Sequence, residues 1–241
     1  MSPQNIELYY PVIIEVNEAV PDSGGAGFHR GGNAQRTLYR FLNAGEVSLH
    51  DDRWFTKPWG VSGGSCGARS HKALFVNNSW GTANPERVIL PSKADHVRVK
   101  PGDVLEWVTW GGGGLGDPLT RPAKKVALEV HRRLVSEKGA RENYGVVMDM
   151  ETFTADDEAT RQLRAEMAAA RPAGWADVVY NRGGSLEELQ RDCREETGLE
   201  PPVPQWGAEP YGPHTGLTYV KEWFQKMRGS KGWRLDGSFK L

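Results

Sequence analysis

The chain has 241 residues, 38% of them hydrophobic, with Lys and Arg numbering 30 against Asp and Glu 31. That composition fits a soluble globular protein, gives no electrostatic reason to expect nucleic acid or an anionic membrane as partner, and contains no apolar run long enough to span a bilayer. Two cysteines, Cys66 and Cys193, cannot build a disulfide framework or a four-thiolate zinc site, and the first seven residues lack the basic start and apolar core of a signal peptide, so a reducing cytoplasm is the expected location.

Residues 8–16 read as a first strand, with Tyr10, Val12, Ile14 and Val16 on one face. Further strands are expected over 36–42, 46–50, 73–76, 87–90 and 96–100, and over 103–109 after the Pro101-Gly102 turn. Short strands between Gly, Pro and Asn clusters predict an antiparallel sandwich or barrel-like layer. After Pro118 the period changes. Val126, Val130 and Leu134 recur every four residues as a helix stripe, and Ser136 to Asn143 reads as a short second helix. Thr154 with Asp157 resembles a capping box for a helix over about 155–170. Ser185 with Glu188 is a better one, opening a helix with Leu186, Leu189 and Cys193 on one side. Residues 217–227 form another amphipathic stretch, and Pro201, Pro202 and Pro204 mark an extended connection.

The predicted fold class is therefore α+β. A β-rich part over 1–120 is followed by a helical continuation over 121–150. The extension over 151–241 consists of helices on Pro-rich linkers, with Trp175, Trp206, Trp223 and Trp233 as anchors that wrap a partner.

Three glycine motifs invite chemistry. Gly111 to Gly116 satisfies the dinucleotide pattern, but Asp117-Pro118 follows where a phosphate-facing helix should begin, which argues against nucleotide on this loop. Gly63 to Gly67 satisfies the nucleophile-elbow pattern. The strand-like run from His71 follows it instead of a helix, which argues against Ser65, and no neighbouring base activates Cys66. Neither of those loops, nor the six histidines, suggests a metal site on this chain.

The third motif spans residues 22–32 and packs five glycines, Asp22, Ser23, His29 and Arg30 into eleven positions. It reads either as an elaborate turn or as a loop that turns backbone amides and these side chains towards an anionic or carbonyl group. The catalytic candidates are Asp22, Ser23, His29 and Arg30: Arg30 to hold a phosphate or carboxylate, His29 to donate to a carbonyl or move a proton. Ser92 and Lys93 are second choices, for substrate binding. Asp117 reads as a turn cap.

The 22–32 segment resembles the corresponding stretch of the B-type subunit of the hydantoinase B/oxoprolinase family. Four further blocks resemble that family in the same order: Pro58 to Gly64, Leu90 to Lys93, Pro101 to Leu105, and Gly111 to Leu119. The resemblance covers about residues 8–150 and points to the C-terminal part of the B-type polypeptide.

The family includes ATP-dependent enzymes that open hydantoin, 5-oxoproline or lactam rings, and others that carboxylate acetone or acetophenone. The resemblance implies ATP and Mg2+ on an A-type partner subunit, a divalent metal on a partner chain, and a companion polypeptide carrying the N-terminal B-type region. Such a chain, a split gene product or a fragment, is expected to be inactive alone. Three roles remain open: subunit of a cyclic-amide hydrolase, subunit of a ketone carboxylase, or non-catalytic structural subunit.

Overall fold

The computed structural model describes residues 3–175 and 178–201. The sequence-predicted stretch 217–227, with Trp206, Trp223 and Trp233, lies outside them.

The chain opens with a helix α1 (Pro3–Tyr9) and a strand β1 (Val12–Ala19). Residues 8–10 therefore precede the first strand instead of starting it; with Pro11 lacking an N–H, the ladder begins only at Val12. Strands β2 (Gln35–Phe41), β3 (Gly45–His50) and β4 (Gly60–Val61) follow. Then come β5 (His71–Phe75), β6 (Arg87–Ile89), β7 (Lys93–Val99) and β8 (Val104–Val108). Five of them form an antiparallel sheet in the order β1-β2-β8-β5-β6, and β3 pairs with β7 as a separate ladder. The architecture is mixed α and β with antiparallel sheets, and no barrel closes among the described residues.

Alternation along the strands sends side chains to two faces. On one face Leu38, Phe75 and Val104 pack together with Val16 and Trp80. On the other, Leu74, Leu105 and Tyr39 pack against Leu49, Val97 and Val99 of the β3–β7 ladder, which is the second layer. The predicted single face of β1 is broken. Ile14 pairs with Tyr39 but Val16 pairs with Leu38, because a register shift between them absorbs Glu15 as a bulge. Val16 thus joins the opposite face from Ile14.

The outer face continues into charge. Glu106 (side chain 7% exposed) receives Arg36 Nε at 2.8 Å and Arg87 Nη2 at 2.7 Å. Burial acts to raise its pKa, but hydrogen bonds from Arg87 and Arg36 outweigh this and hold the carboxyl below its ordinary value.

Helices follow the sheet. In α2 (Ala123–His131) Val126 and Val130 are buried, as their spacing predicts. In α3 (Glu137–Tyr144) the Ser136 hydroxyl accepts from Gly139 N, and Gly145 ends the helix in the left-handed region. Val126, Val130, Ala140, Tyr144 and Val146 form one core with Ala26 from the first glycine loop. A short ladder of β9 (Met148–Asp149) and β10 (Thr154–Ala155) leads to α4 (Asp157–Ala169). Its cap is Asp156, which accepts from Glu158 N and Ala159 N, so Thr154 is a strand residue and not the predicted cap. Strand β11 (Tyr180–Asn181) pairs with β4. Helix α5 (Leu186–Thr197) carries the predicted Ser185/Glu188 capping box and buries Leu189 and Cys193, while Leu186 stays exposed. No described helix is long and apolar enough to cross a membrane.

Candidate functional site

The three glycine motifs, far apart in sequence, meet. Gly25 N donates to Gly112 O at 2.8 Å, and Gly112 N donates to Gly32 O at 2.8 Å. Gly114 N donates to Ser65 O at 2.9 Å, and Ser65 N donates to Ala26 O at 2.7 Å. His29 and Leu115 exchange two backbone hydrogen bonds of 2.9 Å. These approaches need glycine. A Cβ on Gly111 would overlap the carbonyl oxygen of Ser23, and one on Gly113 would overlap that of Trp59. Many of the loop amides are thus spent on one another, which makes the node a rigid platform.

The platform sets four candidate side chains. Ser23 is buried, donates to Val20 O at 2.6 Å and accepts from Ala34 N at 2.7 Å, so its hydroxyl ties the loop together. Asp22 sits in the left-handed region (φ 59°) and accepts from Ser136 N at 2.9 Å, at the start of α3. Arg30 lies beneath the surface. Its Nη1 donates to Gly31 O at 2.7 Å and contacts the Asn33 side chain, and its Nε reaches Glu129 at 3.3 Å. Arg121 grips the same carboxylate at 2.6 and 3.2 Å. All three side chains are only 11–13% exposed, so Glu129 is a half-sealed acceptor between two guanidinium groups. His29 is exposed and stands edge-on to Phe28, with ring centroids 4.8 Å apart.

Asp22, Ser23, His29 and Arg30 thus share one loop, yet only His29 presents its side chain to solvent without a protein ion-pair or hydrogen-bond partner among the described residues. Ser92 and Lys93 lie elsewhere, at the start of β7. Ser92 O accepts from Asp51 N at 2.8 Å, and exposed Lys93 faces Asp52 at 3.5 Å. Among the described residues neither is hydrogen-bonded or ion-paired to the 22–32 loop.

Sequence reasoning missed the groups around Arg30. Glu129 sits between Val126 and Val130 on the inward side of α2, a carboxylate on an apolar stripe, which was the available signal. Tyr144 is fully buried, with its hydroxyl unpartnered among the described residues. Burial, with Glu129 nearby, pushes its pKa up to about 12, so it stays a neutral phenol.

The rejected motifs behave as their contexts imply. Gly111 to Gly116 leads into a 3-10 turn at Pro118–Thr120, and α2 starts only at Ala123. Asp117 caps that turn, accepting from Leu119 N at 2.8 Å, and also takes Arg171 through both oxygens. Burial raises the Cys66 pKa, and its thiol donates to Asn181 O at 3.0 Å, so it is a poorly activated nucleophile. Among the described residues no group of three or more His, Cys, Asp or Glu side chains is arranged to hold a metal ion.

A two-layer antiparallel domain knotted by three glycine loops, with helices docked on the knot, defines the class of protein. The family model described as hydantoinase B/oxoprolinase matches residues 2–118, and this part of the chain belongs to that family. The beta subunit of caprolactamase from Pseudomonas jessenii is 33% identical over 166 residues, covering 66% of this chain and 27% of that subunit. The crystal structure of the ATP-dependent caprolactamase from the same organism superposes with a TM-score of 0.55 at 29% identity, over 68% of this chain and 28% of that one. The acetone carboxylase alpha subunit of Xanthobacter autotrophicus is 26% identical over 214 residues, 76% of this chain and 28% of that subunit. The chain therefore spans little more than a quarter of the length of these relatives.

Proposed function

We propose that this chain supplies the C-terminal part of a B-type subunit in an ATP-dependent assembly that opens a cyclic amide such as a hydantoin, oxoproline or lactam ring. The similarity to the caprolactamase beta subunit carries this reading. ATP and Mg2+ would sit on an A-type partner, which fits a Gly111–Gly116 loop whose space is filled by backbone of the 22–32 and 58–67 segments. A companion polypeptide would bring the N-terminal B-type region, any divalent metal and the remaining substrate contacts.

An apolar cleft of about 560 Å3 between β1–β2 and the β3–β7 ladder, lined by Ile6, Tyr10, Val12, Phe41, Val47 and Trp107, suits such a companion. Leu8 and Tyr9 stand 74% and 75% exposed in the adjoining helix α1. Within the candidate site His29 would donate to the substrate carbonyl or move a proton, and Arg30 with Glu129 and Arg121 would hold the loop in register. Ser92 and Lys93 would contact substrate from β7.

The match to the acetone carboxylase alpha subunit extends over 214 residues and favours a second reading, a subunit of an ATP-dependent ketone carboxylase. ATP hydrolysis by the assembled complex separates the two. Stimulation by a lactam or hydantoin without bicarbonate supports ring opening. A requirement for bicarbonate together with a ketone supports carboxylation. Full turnover in a complex carrying His29→Ala points to a structural subunit.

A further inference from the structure

A pocket of about 290 Å3 lies between α5 and the segment running from Trp54 to His71, and adjoins the 22–32 loop only through Ala68, whose N–H donates to Ser23 O at 2.8 Å. Its lining is cationic at depth. Arg69 enters with its side chain only 4% exposed, and Lys57 stands beside it, 27% exposed. Trp54 is 5% exposed, and its indole N–H has no hydrogen-bond partner among the described residues. Such a donor, sealed from water and unpaired, carries a penalty that a ligand acceptor would remove. The Ser70 hydroxyl does not compete for that ligand, because it donates to Asp51.

A guanidinium this deeply placed requires an anion. In this structure the anion is the carboxylate of Glu196, near the end of α5, whose Oε2 lies 2.5 Å from Arg69 Nη2 without an aligned hydrogen bond. The two partners are unequal. Arg69 is fixed and buried, whereas Glu196 is 55% exposed and free to swing into water. A second acid of the same helix, Asp192, stands 3.5 Å from Lys57 Nζ. Both acids lie beyond the 2–118 segment that matches the family model, while Trp54, Lys57 and Arg69 lie within it.

We infer that this pocket is a binding site for a small carboxylate anion, with Arg69 and the Trp54 indole N–H as its donors, and that the tethered Glu196 carboxylate holds the anion position. A side chain fixed to the same chain competes at an effective concentration on the order of millimolar, so it masks a weak free ligand. The inference is independent of which reaction the assembly performs.

The test is calorimetric titration of the full chain with sodium propionate, with sodium chloride at equal ionic strength as the control. Glu196→Ala removes the tethered competitor and is expected to bind propionate at least about tenfold tighter than the unsubstituted chain. Adding Trp54→Phe to that variant should weaken binding roughly threefold to tenfold, the size of one hydrogen bond. Glu196→Gln keeps the side-chain volume and removes the charge, so it covers the case in which alanine loosens α5. If both Glu196 variants keep the unsubstituted thermal midpoint yet bind propionate no tighter, the inference is overturned. Equal competition by chloride would overturn it too, because it would mark a nonspecific cationic patch.

Discussion

Lys72 of β5 and Asp51, just past β3, form an ion pair closed to water, with side chains 0% and 2% exposed. Lys72 also stands 4.5 Å from the centroid of the Trp107 ring, and Ser70 donates its hydroxyl to Asp51. The pair bolts the β3–β7 ladder to the five-stranded sheet through polar contacts in an otherwise apolar interface. Removing one partner strands a buried charge. Lys72→Met is expected to destabilise the chain by about 3–5 kcal/mol. Adding Asp51→Asn should recover a large share of that loss, because the orphaned carboxylate is gone. Denaturant midpoints of the two single variants and the double variant check this. A double variant whose loss equals the sum of the singles would show that the two groups are not coupled.

The glycine node makes a sharper contrast. At Gly111 and Gly113 a methyl group has nowhere to go, because backbone carbonyl oxygens already occupy the space. At Gly32 nothing lies within 4 Å of the place a Cβ would take. Gly111→Ala and Gly113→Ala should each cost about 2–3 kcal/mol or more, as overpacking of a rigid site does. Gly32→Ala should stay within about 0.5 kcal/mol. Thermal midpoints of the three variants decide it, and equal losses would mean that the loops are not interlocked.

How much of this was legible in the sequence follows from range. Strands β2, β3 and β5 to β8 were legible as short apolar runs between Gly, Pro and Asn clusters, whereas the two-residue β4, which exists only through its pairing with β11, was not. The α5 capping box was legible because Ser185 and Glu188 are three residues apart. What joins distant segments was not. The bulge at Glu15, which moves Val16 to the other face, depends on the register with β2. Glu129 beside Arg30 depends on a helix docking onto a loop 99 residues earlier. For the same reason the three glycine motifs read as separate candidates, although their carbonyls and amides satisfy one another. His29 and Arg30, adjacent in sequence, prove unlike: one is exposed, the other is enclosed by acceptors.

Glu106 predicts a pH response. Its folded pKa lies below the ordinary value of 4.5, because the Arg87 and Arg36 hydrogen bonds exceed the opposing effect of burial. A carboxyl lowered on folding stabilises the chain fully above its unfolded pKa, and this is lost as pH falls through the folded pKa. Each unit of depression is worth about 1.4 kcal/mol. Glu106→Gln should therefore be less stable than the unsubstituted chain at neutral pH. The gap should begin to narrow as pH falls below the ordinary value of 4.5, where the unfolded carboxyl protonates, and should close once pH has passed the lower folded pKa. Denaturant unfolding in a series of buffers tests this. A gap that stayed constant down to the acid transition would mean that protonation of Glu106 contributes nothing.

His29 offers the cleanest separation of chemistry from scaffold. Its backbone ties the 22–32 loop to Leu115 through two hydrogen bonds, and these survive any side-chain change. Its ring is exposed and touches Phe28 edge-on, so His29→Ala should alter stability by no more than about 0.5 kcal/mol. If the ring donates to substrate or moves a proton, the same substitution should lower turnover of the assembled enzyme by about 100-fold or more. Arg30→Ala cannot make that separation. It leaves Glu129 with Arg121 alone in a half-sealed site, so any loss of activity would mix folding with function. Turnover and unfolding midpoint measured on one His29→Ala preparation therefore settle the role of the loop. An unchanged rate with an unchanged midpoint assigns it to architecture.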